Sequence, residues 1–438
     1  MKRGIFGRCL VLACAMLAAC SGKARFDAQQ QAGAEPPLPK PRHFLAPPID
    51  VPTRVGWQDG DVPVAAPGLK VERIASGLKH PRQLLVLPNQ DVLVVEASSP
   101  NAEPVTTPKQ LIAQRIEARA GKGAAGGNRV ILLRRPANGQ GEWERHLFID
   151  HLHSPFGIQL IADSLYVADT DSLLKFPYVT DATSITVPGV QLADLPDTVN
   201  HHWTKSLLAS PDGRHLYVGV GSNSHVGENG LEVEYRRADV LEVDVFSGAS
   251  RVYASGLRNP TGLQWQPESG RLWAIVNERD EIGADLVPDY LSSVKDGGFY
   301  GWPYSYYGQH LDARVHRQRP DLVAAALAPD YALGSHVAPL GLWFYTGSAL
   351  PSPYRDGAFI AEHGSWDRSP LSGYEVVFVG FQHGRPVGKP RTVLSGFVSE
   401  DGKWLHGAPA GLAQDAAGGL LVADDVGNSV WRVTAAGP

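Results

Sequence analysis

One pattern recurs from residue 70 to the end of the chain and limits the folds open to it. A loop delivers a polar residue, a short apolar strand follows, a Pro/Asp/Gly turn reverses the chain, and a second strand ends in an acid or amide. Six copies can be read, at 80–97, 154–171, 201–223, 259–278, 338–362 and 408–425, the fifth with a longer turn between its strands. Several are followed by another strand-like run, such as 129–133, 240–245 or 376–379. A small sheet of this kind cannot bury its faces alone, whereas four-stranded units repeated around an axis bury each against the next. The expected fold is therefore all-β, a six-bladed β-propeller, and 47 glycines and 34 prolines suit its many turns. The uneven spacing places insertions between blades, where binding residues concentrate.

The remaining chain divides by composition. Residues 1–19 read as an export signal of the lipoprotein type: Lys2, Arg3 and Arg8 form the basic start, an apolar run follows, and Leu17-Ala18-Ala19 precedes Cys20, the expected site of lipid attachment. Residues 20–67 are rich in Pro, Ala and Gln without a hydrophobic period and are expected to act as a tether to the domain at 68–438. The expected location is the cell envelope, facing the periplasm from the outer membrane, with the lipid as the only membrane contact. Cys9, Cys14 and Cys20 are the three cysteines, so the body has no internal disulfide available. Loss of residues 1–19 moves the formal charge from −5 to −8, and no basic cluster points to nucleic acid. A helix-like run is expected within 107–127. The Gly-rich run at 123–127 lacks the strand and helix that a nicotinamide-binding fingerprint requires.

Aligning the copies on Leu84, Ile158, Leu207, Leu263, Leu342 and Leu412 brings Lys79, His153, His202, Arg258, Val337 and Gly407 to one level, with His80, Asn259, His336 and His406 one position away. If the first strands line the central channel, these residues ring its mouth. A His near five of six heads, from fifteen in the chain, points to a convergent polar pocket for an anionic or oxygen-rich ligand.

Arg258-Asn259-Pro260, the His202 head leading into LLASPDG, Asn277-Glu278 with the acidic segment after it, GGFYGWP and HGSWDRSP together resemble the PQQ-dependent sugar dehydrogenases, the soluble glucose and sorbosone dehydrogenase-like group, over about residues 71–433. The resemblance implies oxidation of an aldose or aldehyde sugar by hydride transfer to pyrroloquinoline quinone (PQQ), with His202 as general base and Arg258 and Asn259 on the quinone. It further implies Arg368, His406 and Lys79 as supporting cofactor contacts, His153 and His336 near substrate, and Ca²⁺ with Glu278, Asp285 and Tyr300 as ligands. Imidazole suits the base role because its ordinary pKa lies near working pH. Two departures stand out: the position before His202 is His201 where the glucose enzyme has Asp, and the sixth head, His406-Gly407-Ala408-Pro409, lacks the last-blade arginines. Two other readings remain open, a metal-dependent lactone hydrolase using Glu96, Asp169, Asn277, Glu362 and Asp424, and a sugar-binding propeller without catalysis. The electron acceptor is not specified by the sequence.

Overall fold

The computed structural model describes residues 23–42, 50–100, 118–120, 126–137, 141–198 and 201–437. Cys20 and nearly all of the helix-like run lie outside them; within that run, Ala118–Ala120 form a 3-10 turn. The described residues form six antiparallel sheets arranged as a β-propeller.

Each copy of the repeat supplies the first two strands of one blade. The innermost strands are Pro81–Val86, Gly157–Ile161, Lys205–Ala209, Pro260–Trp265, Pro339–Phe344 and Pro409–Gln414. Each packs against the innermost strands of the blades on either side, so they surround the channel. Close approach is needed there: a Cβ on Gly341 would lie 2.1 Å from the Ala410 carbonyl oxygen of the next blade, which excludes any larger residue.

The second strands Val92–Glu96, Leu272–Val276 and Leu420–Asp424 are buried at every position. That explains why they read as continuous apolar runs rather than alternating ones. The cores lie between blades. Trp273, Ile275 and Leu291 of the fourth, for example, pack on Leu342, Phe344, Ile360 and Val377 of the fifth.

The sixth blade closes the ring: Leu69–Ala75 pairs antiparallel with Ser429–Ala435 as its outermost strand. The fifth blade gains an extra outer strand where Val64–Ala65 pairs with Leu394 and Ser395.

The tether expected at 20–67 is instead docked wherever it is described. Arg25 and Phe26 donate main-chain N–H groups to the Asp285 carboxylate at 2.9–3.3 Å, and the buried Gln31 side chain donates to the Asp285 carbonyl at 2.8 Å. Gly33 exchanges main-chain hydrogen bonds with Ala332, and Lys389 donates to the Ala32 carbonyl at 2.6 Å. Farther on, Thr53–Arg54 runs parallel to Trp404–Leu405. Such a strap satisfies its polar groups one by one on other elements, which leaves no periodic trace in its own sequence.

Candidate active site at the channel mouth

The loops entering the innermost strands lie on one face, and several are held by carboxylates at the ends of the second strands. Glu96 accepts the Lys79 N–H at 2.7 Å, Asp169 the His153 N–H at 2.9 Å and Asp424 the Ala408 N–H at 2.8 Å. These acids are fastened to turns instead of forming a central metal ring.

On the third and fourth blades the expected residues converge. The His202 Nδ1 lies 2.7 Å from the Ser222 carbonyl oxygen. A carbonyl only accepts, so Nδ1 carries the hydrogen. Burial, reinforced by the charge of Arg258, holds the His202 pKa well below the ordinary histidine value. The ring is thus neutral, and Nε2 keeps its lone pair. His201 rather than an acid precedes His202, and a main-chain carbonyl orients the ring.

The same segment ties His202 to Arg258-Asn259, because Ser222 donates its N–H to the Arg258 carbonyl at 2.7 Å. Gly221 makes the approach possible: a Cβ there would meet Asn259 Oδ1 at 2.3 Å and the His202 Cβ at 2.5 Å. Arg258 is buried and donates to the Glu278 carbonyl, while its other terminal nitrogen lies 3.1 Å from His225 Nδ1 and 3.2 Å from Asp280 Oδ2. Arg258 Nε, Asn259 Oδ1 and Asn277 Oδ1 are buried without a hydrogen-bond partner. Buried polar atoms of this kind are normally satisfied. Clustered around one residue pair, they mark where a polar ligand would be held.

Asp280 continues the network to His336, whose Nδ1 lies 3.2 Å from Asp280 and 3.3 Å from Asp367. The His336 Nε2 reaches the Gly283 carbonyl at 3.2 Å. Burial disfavours the imidazolium, but the two carboxylates outweigh burial and push the His336 pKa up to about 10. Burial likewise pushes Asp280 up, yet Arg258, His225 and His336 hold it well below the carboxylate range. Ligand atoms of Asp280, His336 and Asp367 lie within 4.8 Å of one another. A protonated His336 and the Arg258 guanidinium together balance the two carboxylates there, and a hard cation prefers oxygen donors, so this cluster reads as an internal ion network.

Across the channel, Arg82 of the first blade pairs with Asp425, which also meets His363 Nε2 at 2.8 Å. Although burial raises Asp425, His363 and Arg82 hold its pKa well below the usual range. The Arg82 guanidinium lies 5.7 Å from the ring of Trp203, the neighbour of His202.

Several expected site residues are engaged elsewhere. Arg368 is buried, donating to the carbonyls of Ala284 and Phe26, and so fastens the strap; its neighbour Asp367 is the residue of HGSWDRSP that joins the network. His406 packs under Trp57, ring centres 5.5 Å apart. The Lys79 side chain is exposed. His153 stands at the rim with its ring 2.7 Å from Asp171. Both ring nitrogens of the buried His336 are taken up by Asp280, Asp367 and the Gly283 carbonyl.

The expected metal ligands do not converge. Glu278 pairs with Arg279, Asp285 is taken by the strap and Arg368, and the Tyr300 hydroxyl donates to the Ser293 carbonyl at 2.6 Å. Ser222, His225, Asp280, Asp367 and Arg82 were missed. Asp280 and Asp367 lie inside segments singled out in the sequence, so the segments were legible although the side chain facing the site was not.

Residues 171–364 match the family model described as glucose/sorbosone dehydrogenase, and residues 323–436 match one described as TrAA12-like. An uncharacterized protein of Borreliella burgdorferi is 26% identical over 293 residues, 64% of this chain and 76% of that protein. A PQQ-dependent pyranose dehydrogenase of Coprinopsis cinerea is 27% identical over 203 residues, 45% of this chain, a match that spans only 22% of that protein. The holo PQQ domain of pyranose dehydrogenase from Coprinopsis cinerea superposes with a TM-score of 0.69 at 20% identity, covering 88% of this chain and all of that domain, a likeness of fold.

Proposed function

We propose, for a chain whose residues 171–364 match the glucose/sorbosone dehydrogenase family model, that it oxidises an aldose or an aldehyde sugar with PQQ as hydride acceptor and His202 as general base. The carrying observation is that a neutral His202 with a fixed tautomer adjoins Arg258 and Asn259, around which buried polar atoms lack partners. These residues fit the cofactor: Arg258 offers positive charge to an anionic quinone, and the oxygens of Asn259 and Asn277 offer donors to a companion Ca²⁺. When bound, PQQ supplies the two-electron acceptor. Arg82 supplies, from the first blade, a cation that the sixth head lacks.

The contribution of the chain is then specific. His202 Nε2 takes the hydroxyl proton of the sugar, or of a hydrated aldehyde, as hydride leaves its carbon. The Ser222 carbonyl holds the neutral imidazole in the required tautomer and goes on accepting from Nδ1–H once the ring is charged, and Arg258 would stabilise negative charge developing on the acceptor side. The lactone hydrolase reading loses its support, because Glu96, Asp169 and Asp424 are tied to turns. We also hold that Cys20 carries the lipid that retains the protein in the cell envelope.

Adding PQQ and Ca²⁺ to the metal-stripped protein is expected to raise its melting temperature, as a ligand of the folded state must, and to support dye-linked oxidation of an aldose. Arg258→Ala should weaken the melting shift. No shift and no dye reduction with any sugar, alongside Ca²⁺-dependent lactone hydrolysis, would overturn the proposal.

A further inference from the structure

The GGFYGWP segment supplies no side chain to the site described above, and its contacts show what it supports. Tyr300 donates its N–H to the Ser255 carbonyl at 2.8 Å and Trp302 its N–H to the Gly256 carbonyl at 3.0 Å, so the segment runs beside the chain that leads into Arg258. Gly256 allows that approach: a Cβ there would meet the Phe299 ring at 2.7 Å and the Gly301 nitrogen at 2.8 Å. From this position the Trp302 indole N–H reaches the third blade and donates to the His225 carbonyl at 2.9 Å. The Glu228 carboxylate takes the His225 N–H at 2.9 Å, and the His225 ring packs against His201 with centres 5.0 Å apart. The main chain of His225 is thus held from two sides.

The hydrogen bonds of Arg258 define what the His225 ring does. A guanidinium only donates, so at the 3.1 Å contact Arg258 is the donor and His225 Nδ1 the acceptor. Asp280 Oδ2 takes the other hydrogen of the same terminal nitrogen at 3.2 Å. The second terminal nitrogen donates to the Glu278 carbonyl and lies 3.4 Å from that of Asn277. Both terminal nitrogens are thereby engaged, and Nε–H alone is left, buried and without a partner.

We propose that His225, held by Trp302, is the positioning residue for Arg258: the Nδ1 lone pair fixes one terminal nitrogen so that the guanidinium presents its Nε edge to the bound ligand. Without that acceptor the nitrogen keeps only Asp280, and the group can pivot on the carboxylate and carry Nε–H out of line. The quinone reading supplies the identity of the ligand, and in that respect the inference rests on it.

The test measures, on the full chain with Ca²⁺ present, the PQQ concentration that gives half of the melting shift. His225→Leu removes the acceptor and should weaken PQQ about tenfold or more, the usual worth of a hydrogen bond to a charged group. His225→Asn, whose amide oxygen can stand where Nδ1 stands, should restore most of the affinity. Trp302→Phe, which releases the His225 carbonyl, should weaken PQQ in the same direction as His225→Leu. Because His225 acts through Arg258, His225→Leu should cost nothing further in an Arg258→Ala background. Additive losses in that double variant, or His225→Asn behaving like His225→Leu, would overturn the inference. Crystal structures of the ligand-free variants put the same question without the cofactor: the Arg258 guanidinium should be turned in His225→Leu and back in place in His225→Asn. An unmoved guanidinium in His225→Leu would also overturn the inference. Absence of any PQQ-induced shift in the wild-type chain removes the quinone reading alone, and those crystal structures then decide the role of His225.

Discussion

At the scale of residues, one hydrogen bond decides whether this mouth can act as a base at neutral pH. The Ser222 carbonyl fixes the proton of His202 on Nδ1, and burial with the nearby Arg258 charge keeps the ring neutral below the ordinary histidine pKa. A histidine with a lowered pKa stays basic as pH falls through 6.5 and loses activity only at lower pH. For the PQQ-loaded protein, kcat/KM is therefore expected to stay level through pH 6.5 on the acid side, and an acid limb centred at or above 6.5 would contradict the assignment. His202→Ala should lower kcat by about 10²–10⁴, the usual worth of general base catalysis, while the melting shift produced by PQQ persists. Loss of both together would show that His202 holds the cofactor instead. Arg368 and Asp367 illustrate the limit of reading at this scale. The segment bends at Trp366–Asp367, which turns Asp367 to His336 and Arg368 to the strap, so the motif was found but the side chain that joins the network was not.

At the scale of elements, the strap changes what the Asp285 loop is for. Its carboxylate was expected to bind metal, and it instead receives two main-chain N–H groups of the strap and the buried Arg368. Asp285→Ala would leave that guanidinium without its acid. The expected cost is about 3–5 kcal/mol, typical for breaking a buried pair, seen as a lower melting temperature together with faster proteolysis within 23–42. An unchanged melt with the strap still protected would show that the strap contributes nothing to stability. The strand pairs were legible because each carries its own apolar run and turn. The strap was not, because its partners Asp285, Ala332, Lys389 and Leu405 lie hundreds of residues away. The same holds for Asp280, His336 and Asp367, which meet only once the fourth and fifth blades are packed together.

At the scale of the molecule, the ring is closed by pairing Leu69–Ala75 with Ser429–Ala435, and Trp431 stands at that junction. It is fully buried, donates to Asp424 at 3.0 Å and lies under the Arg73 guanidinium at 4.7 Å. Trp431→Ala is expected to cost about 3–5 kcal/mol and to lower the melting temperature of the whole propeller in a single transition, since opening one blade exposes its neighbours. A separate early transition confined to the sixth blade would show that the blades melt independently. The junction also imposes an order on biogenesis. A chain emerging from its N-terminus can assemble five blades in succession, but the sixth must wait for the last segment to arrive, leaving Leu69–Ala75 with a bare edge meanwhile. Bare edges recruit strands from other chains. Incomplete chains that stop before residue 429 are therefore the species that quality control in the cell must catch, and the strand at Ser429–Ala435 acts as the latch on the blades before it.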